Sequence, residues 1–484
     1  MSDVSELERM AYLLEKHYGE NHEYVHVCKL GIMPHYASLP NGIRISVEHA
    51  FRHKAISFVV CTSTLAQGVN IPIKYLLMTS FMVTNKSMQI RSFQNLMGRT
   101  ARSGMYTEGS VLVTDPTIYD NKDTYKGGGV YRWRDHVKMF DPSNSEPCKS
   151  SILMMVQEYS FGYKEKLSFS GTRVINYLLD HYQEPDAFFV LQQRIINSIP
   201  PNAPPTTSSD ITSTLTTLVT VMRTIENHLC YVFADDSEGN KNEIARDLCT
   251  KTLAYALASE TEKEELLSIW DKIATKVSTL STQQIANFSK AMTGVELGNA
   301  IESWMIQSQI TSVLYTEEQL VDLIISFFLE THSNGKKYDD FKAICQGWLS
   351  GKSFFELSNE TGRSTADLET ICSKQISYEL SYLVGNIMDI LEITEDMPVN
   401  PYSTLNKVQR RLKYGVDSES AVSICEKIFN DRIIAQQIVQ LLGSEDIGVD
   451  TIIPIIQFRK EAILELLRPF PRYFTERINR ICSN

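Results

Sequence analysis

Two arginines three residues apart, Arg99 and Arg102, stand between Gly98 and Gly104 in the stretch FQNLMGRTARSG. On a helical turn this spacing puts both guanidiniums on one side. A guanidinium is permanently charged and offers a planar fork of donors, which suits a phosphate whose charge changes during transfer. An isolated R-x-x-R is common on solvated helix faces, so the pair gains meaning from its surroundings. Upstream lies CTSTLAQGVNIP, Cys61 to Pro72, directly after the apolar run ISFVVC. Hydroxyl side chains and a glycine turn at the carboxyl end of a strand are where an open α/β sheet binds ligands through backbone N–H groups. Either stretch alone also reads as ordinary structure. Their order and separation make the ligand reading specific.

The elements that must position these residues are legible as periodicities. Leu7, Met10, Leu13 and Leu14 recur at helical spacing and stop at Gly19, which predicts a first helix. Tyr24 to Leu30 reads as a short strand, Ile43 to His53 as a helix, and Ile56 to Cys61 as a buried strand rich in β-branched residues. Tyr75 to Thr79 and Gly109 to Thr114 read as further strands around a helix that starts near Ser92. Strands alternating with helices predict a parallel α/β sheet, and from about Asp120 the pattern becomes helical. SIPPNAPPTTSSD, residues 198 to 210, reads as a linker, because prolines and small polar residues cannot supply a packed face.

A chain of 484 residues exceeds the roughly 250 to 300 residues that one core serves, so several domains are expected. The net charge of −11 excludes a protein coated all over in positive charge, yet between Arg44 and Arg134 twelve Lys and Arg face five Asp and Glu. Any contact with phosphates belongs to that segment. Nine cysteines without a C-x-x-C pair indicate neither a zinc ribbon nor a disulfide framework and fit a reducing cytoplasm. The N-terminus has no signal-peptide core, and no apolar run reaches the ~18 residues that span a bilayer, so a cytoplasmic location without membrane contact is expected.

Residues from about Met33 to Thr114 resemble the second RecA-like domain of superfamily 2 helicases, closest to the Ski2-like group. PHYASLPNGIRISVEHAFRHKAISFVVCTSTLAQGVNIP is similar to that family's motif IV to motif V stretch, and NLMGRTARSG to its motif VI. The resemblance implies an incomplete α/β parallel-sheet (RecA-like) N-terminal domain followed by mostly α-helical domains. It implies that Thr62, with Ser63 and Thr64, contacts the nucleic-acid backbone, and that Gly68 and Asn70 couple strand binding to the nucleotide. Gly98, Arg99 and Arg102 would face the phosphates of ATP, with Arg102 matching the arginine finger. Asn95 stands where the family has Gln or His, and Ala101 where it has a second glycine.

The P-loop and the Mg²⁺-holding acidic motif of such a helicase lie in a first RecA-like domain, and neither is found in this sequence. GWLSGKS, Gly347 to Ser353, is one residue short of a P-loop and sits among helices. ATP and Mg²⁺ are therefore expected as cofactors of the intact enzyme, with the chain alone inactive and the first RecA-like domain supplied in cis or in trans. HEYVH, His22 to His26, matches a zinc-protease pentad by letter but leads into the expected strand, where alternate residues face opposite sides, so no metal site is assigned.

The helical remainder is similar to the ratchet domain of Ski2-like helicases: FKAICQGWLSGKSFFELSNETGRSTADLETI resembles its helix-turn-helix-like element and SYELSYLVGNIMDIL its long helix. That resemblance names Trp348, Lys352 and Arg363 as strand contacts. Trp133 between Arg132 and Arg134 reads equally as a second candidate stacking surface or as a domain-junction anchor. The expected domains are 1–120 (partial second RecA-like domain), 121–197 (connecting, winged-helix-like helices), 198–211 (linker), 212–335 (helical) and 336–484 (helical, ratchet-like). The expected partners are single- or double-stranded nucleic acid, with DNA favoured. The helical tail also looks like helicases of bacterial antiviral defence systems of the Hachiman type, which pair with a nuclease subunit. The competing reading is a non-catalytic nucleic-acid-binding or scaffold protein that retains a RecA-like domain.

Overall fold

Asp3 accepts hydrogen bonds from the N–H groups of Ser5 and Glu6, at 3.1 and 3.3 Å, and so starts α1, Val4–Tyr18. Leu7, Met10, Leu13 and Leu14 are buried along one face, and Gly19, at φ 88°, ends the helix by donating to Glu15 O. The computed structural model describes residues 2–483 apart from 63–72, 84–85, 101–106, 162–166, 185, 236–238, 333–339, 393–397 and 444–445.

The expected strand over Tyr24 to Leu30 is instead α2, Glu23–Lys29, with His22 as its N-cap. Val25 and Cys28, three apart, are buried, which is a helical rather than an alternating pattern. Then follow β1 (Ile32–His35), α3 (Asn41–Arg52), β2 (Phe58–Cys61), β3 (Tyr75–Met78), β4 (Met82–Val83), β5 (Lys86–Ser87), α4 (Ile90–Met97) and β6 (Ser110–Val113). β1 pairs parallel with β2, and β3 parallel with β6, in register Leu77 to Leu112; β4 and β5 form an antiparallel hairpin. The expected parallel pairing is present, in two short ladders among the described residues. β2 is not the buried strand its apolar run suggests. Phe58 and Val60 on β2, Tyr75 and Leu77 on β3, and Leu112 on β6 are all between 48 and 65% exposed. Parallel strands normally carry cover on both faces.

α5 (Thr117–Asp120) and α6 (Gly129–Met139) follow. Phe81 and Phe140 pack on Phe93, at ring separations of 5.4 and 5.0 Å, and Met139 joins Leu76, Met78, Phe93 and Leu96 in one core.

The chain divides into two units. One comprises Met1–Pro147, Gly335–Ser381 and Lys407–Asn484; the other comprises Cys148–Asn334 and Tyr382–Asn406. One parting, between Asn334 and Gly335, falls beside the expected boundary at 336, and another falls at Pro147 rather than at 120; residues 335–381 and 407–484 fold with the N-terminal α/β segment. In the first unit His17 Nε2 lies 3.1 Å from Asp431 Oδ2, both fully buried, and Arg472 reaches Asp3 at 2.6 Å.

In the second unit the expected linker already ends in structure, since a helix spans Thr207–Asp235 with Ile211, Leu215, Leu218 and Val219 buried along one face. Its threonines bond back one turn, Thr214 to Asp210 O and Thr220 to Thr216 O, which lets a Thr-rich sequence remain helical. Lys276 pairs with Glu226 at 2.7 Å in the interior of this unit. No helix among the described residues is long and apolar enough to cross a membrane.

Candidate nucleotide-facing and strand-facing site

α4 presents Phe93 and Leu96 to the core and leaves Asn95 exposed. The N-cap position, Gln89, makes no side-chain cap bond. Glu146 serves instead, its carboxylate accepting from Ile90 N at 2.6 Å and Arg91 N at 3.2 Å, while Arg91 Nη2 donates to Glu146 O at 2.7 Å. Burial pushes the Glu146 carboxyl up, but the helix N–H groups outweigh it and hold the group below its ordinary value. No local signal in the sequence marks Glu146, because capping from outside the helix depends on tertiary approach.

α4 ends at Gly98, whose N–H donates to Gln94 O and Leu96 O. Thr100 closes the turn through its N–H and hydroxyl, both on Met97 O, at 2.9 and 2.7 Å. Arg99, half-buried, therefore leaves the helix on a hydrogen-bonded turn whose direction is fixed. Ile73, immediately after the Cys61–Pro72 stretch, donates its N–H to Arg99 O at 3.4 Å and forms an isolated parallel bridge with Thr100. Ile73 and the Gly98–Arg99 turn are thus backbone neighbours.

Thr62 is exposed directly after the last residue of β2. Burial pushes the thiol of Cys61, at the end of that strand, above its usual value, so it remains a neutral thiol. Ser63, Thr64, Gly68, Asn70 and Arg102 lie outside the described residues.

The three ratchet-like candidates are placed differently from one another. Trp348 is 6% exposed, donates from Nε1 to Leu412 O at 2.8 Å and lies under the Arg432 guanidinium at 3.7 Å. A ring so enclosed is part of the core, which corrects the expectation that it stacks on a base. Lys352 pairs with Glu360 at 2.6 Å. Arg363 grips Asp340 with two donors, one of them 2.7 Å long, and this bonding holds the Asp340 carboxyl below its ordinary value. The false P-loop is a helix–turn–helix: Gly347 and Trp348 end one helix, and Ser353 caps the next in a reciprocal pair with Glu356.

His22 and His26 lie on a helix start, not on the expected strand, so facing alone does not dismiss them. Both ring nitrogens of His22 are occupied within the fold: Nδ1 accepts from Tyr24 N at 3.2 Å, and Nε2 lies 2.9 Å from Thr365 Oγ1. Among the described residues no group of three or more His, Cys, Asp and Glu is placed to hold a metal.

Residues 4–104 match the helicase conserved C-terminal domain family. Along 93% of its length the chain is 21% identical to the Hachiman protein HamB of Bacillus cereus, of which it covers 38%. It is 26% identical over 168 residues to a Helicase POLQ-like protein of Homo sapiens, covering 34% of this chain and 14% of that protein. Over 101 residues it is 30% identical to the ATP-dependent DNA helicase Hel308 of Aeropyrum pernix, covering 20% of this chain and 14% of that protein. The chain thus spans well under half the length of these relatives.

Proposed function

We propose that this chain, whose residues 4–104 match the helicase conserved C-terminal domain family and which is similar to the Hachiman protein HamB, supplies one half of an ATP site in a nucleic-acid translocase. The observation that supports this reading is the backbone tie between Ile73, the residue after one motif, and Arg99 within the other. Arg99 and Arg102 face the nucleotide phosphates, with Arg102 acting as the arginine finger. Thr62, Ser63 and Thr64 hold the backbone of one strand, and Gly68 and Asn70 transmit the state of the nucleotide to that grip. Bound ATP with Mg²⁺ supplies the phosphoryl group and the metal's Lewis acidity; this chain contributes positive charge and orientation.

The P-loop and the acidic metal motif come from a first RecA-like domain in cis or in trans. The exposed apolar residues of β2, β3 and β6 support the need for more polypeptide around this sheet, since uncovered parallel strands are rare in finished folds. The likeness to an ATP-dependent DNA helicase favours DNA as the strand, and the likeness to the Hachiman protein HamB favours a role in a defence system; a nuclease partner is what the resemblance to Hachiman-type helicases implies.

The test is ATP hydrolysis with single-stranded DNA and RNA, first on the chain alone and then with a first RecA-like domain added. Hydrolysis is expected only after mixing. In the assembled enzyme Arg102→Ala is expected to lower turnover by about 10³ to 10⁵ while leaving strand affinity largely intact. Unchanged turnover in that variant would remove Arg102 from the ATP site. Strand binding that never responds to nucleotide would favour a non-catalytic binding protein.

A further inference from the structure

The segment from Thr117 to Phe140 carries aromatic rings that neither the core nor the nucleotide site uses. Tyr119, Tyr125 and Tyr131 are 58, 69 and 60% exposed. Tyr119 meets Trp133 edge to face at 5.6 Å, and Tyr125 meets Tyr131 in the same way at 6.5 Å. Lys122 Nζ sits 3.8 Å from the centre of the Tyr119 ring. Trp133 is half-buried against Tyr119, whereas the three tyrosines stand outside the core. α6 is fastened through buried Val130 and Met139 and through His136, edge to face with Phe81 at 4.4 Å.

Charge accompanies the rings. Five Lys and Arg face three Asp between Thr117 and Phe140, a local excess of cations on a chain whose net charge is −11. Tyr131 and Arg134, three apart on α6, share one face of the helix and are both exposed. Apolar protein interfaces are depleted in lysine at their centres, whereas surfaces that grip single strands combine ring faces for bases with cations for phosphates. A duplex keeps its bases stacked on one another and offers nothing to a ring; an unpaired strand offers every base.

We propose that Tyr125, Tyr131 and Arg134 on one side of α6, and Tyr119, Lys122 and Trp133 on another, form a platform of two stacking surfaces for the unpaired bases of a single nucleic-acid strand. It rests on the reading of the chain as a translocase and adds a second strand contact, set apart in sequence from Thr62–Thr64. Recognition is tolerant of base identity, because the rings read π faces and the cations read the backbone.

The experiment measures anisotropy of fluorescein-labelled oligo-dT and oligo-rU of about twenty nucleotides with the full chain. Wild type is expected to bind, with affinity falling as salt rises. The double variant Tyr125→Ala/Tyr131→Ala is expected to lose roughly ten-fold or more in affinity. The double Tyr→Phe variant keeps the rings and is expected to keep the affinity, and far-UV circular dichroism checks that each variant is folded. Trp270, Trp304 and Trp348 are buried, so quenching of tryptophan emission by the strand reports Trp133 and is expected to vanish in Trp133→Phe. Strand binding that survives the alanine pair unchanged, without quenching, overturns the platform and leaves the translocase reading standing. Failure of wild type to bind either oligonucleotide also overturns the platform, whereas the translocase reading stands or falls with hydrolysis after a first RecA-like domain is added.

Discussion

Glu369 is buried, and its Oε2 accepts from the Tyr36 hydroxyl at 2.7 Å, with the Tyr24 hydroxyl 2.8 Å from that of Tyr36. Burial pushes its carboxyl above the ordinary value, and hydrogen bonding pulls back only part of the way. The folded state then binds the proton more tightly than the unfolded one. Its contribution to stability is full at low pH and is lost as pH rises from the ordinary carboxylate value through the raised one. Glu369→Gln keeps an oxygen for Tyr36 and removes the buried charge. Its melting temperature relative to wild type is therefore expected to become more favourable as pH rises above the ordinary carboxylate range. A difference that stays flat, or runs the other way, would show that Glu369 carries no such penalty. Residue identity misled at one candidate position. The role of Arg99 is a proposal carried by the two motifs that frame it. Trp348 beside Lys352 looked like a strand contact, but residue type does not reveal exposure, and Gly415, packed against the indole, is what lets the ring sink into the core.

The helix that presents Arg99 takes its N-terminal cap from outside its own sequence. Glu146 is held ionised by the N–H groups of Ile90 and Arg91, so the stabilisation is present above the ordinary carboxylate range and is lost as pH falls through the lowered folded value. Glu146→Ala leaves those donors without that partner and is expected to cost about 0.5 to 2 kcal/mol. Hydrogen exchange over residues 90–97 reads the change locally; unaltered protection there would refute the capping role. At this scale the sequence is clearest where pattern and capping agree. α1 shows both an apolar stripe and a terminal glycine. α2 was missed because two valines and a cysteine within seven residues suit a strand as well as a helix, and only packing against α1 and capping by His22 decide. The TTSSD stretch looked like linker because Ser and Thr favour turns, yet the helix starts at Thr207 and the Ser209 hydroxyl donates back to Thr206 O at 2.8 Å.

At the scale of the whole chain, burial of the N-terminal helices depends on residues more than four hundred positions away, a dependence that no periodicity can reveal. Asp431 does two things at once: Oδ1 accepts from Ile434 N at 3.1 Å and caps the helix Arg432–Leu442, while Oδ2 lies against His17. Arg432 beside it is fully enclosed, donating to Gly415 O at 2.8 Å and Trp348 O at 3.1 Å, and its burial lowers the guanidinium to about 10. Gly42, in the first turn of α3, faces this cluster so closely that a methyl group there would overlap the Asp431 carboxylate. Two physical arguments then disagree in sign about Gly42→Ala. Helix propensity alone favours alanine by about 1 kcal/mol. Overpacking that drives Asp431 away from His17 and from its cap opposes it by about 1 to 3 kcal/mol and leaves buried polar atoms without partners. The second effect is larger, so the variant is expected to unfold at lower denaturant concentration than wild type, with the unit of residues 1–147, 335–381 and 407–484 losing stability together. Equilibrium denaturation, with hydrogen exchange at residues 432–442 as the local readout, checks this. A more stable Gly42→Ala, or a loss confined to α3, would mean that the N- and C-terminal segments of this unit are not coupled through Asp431.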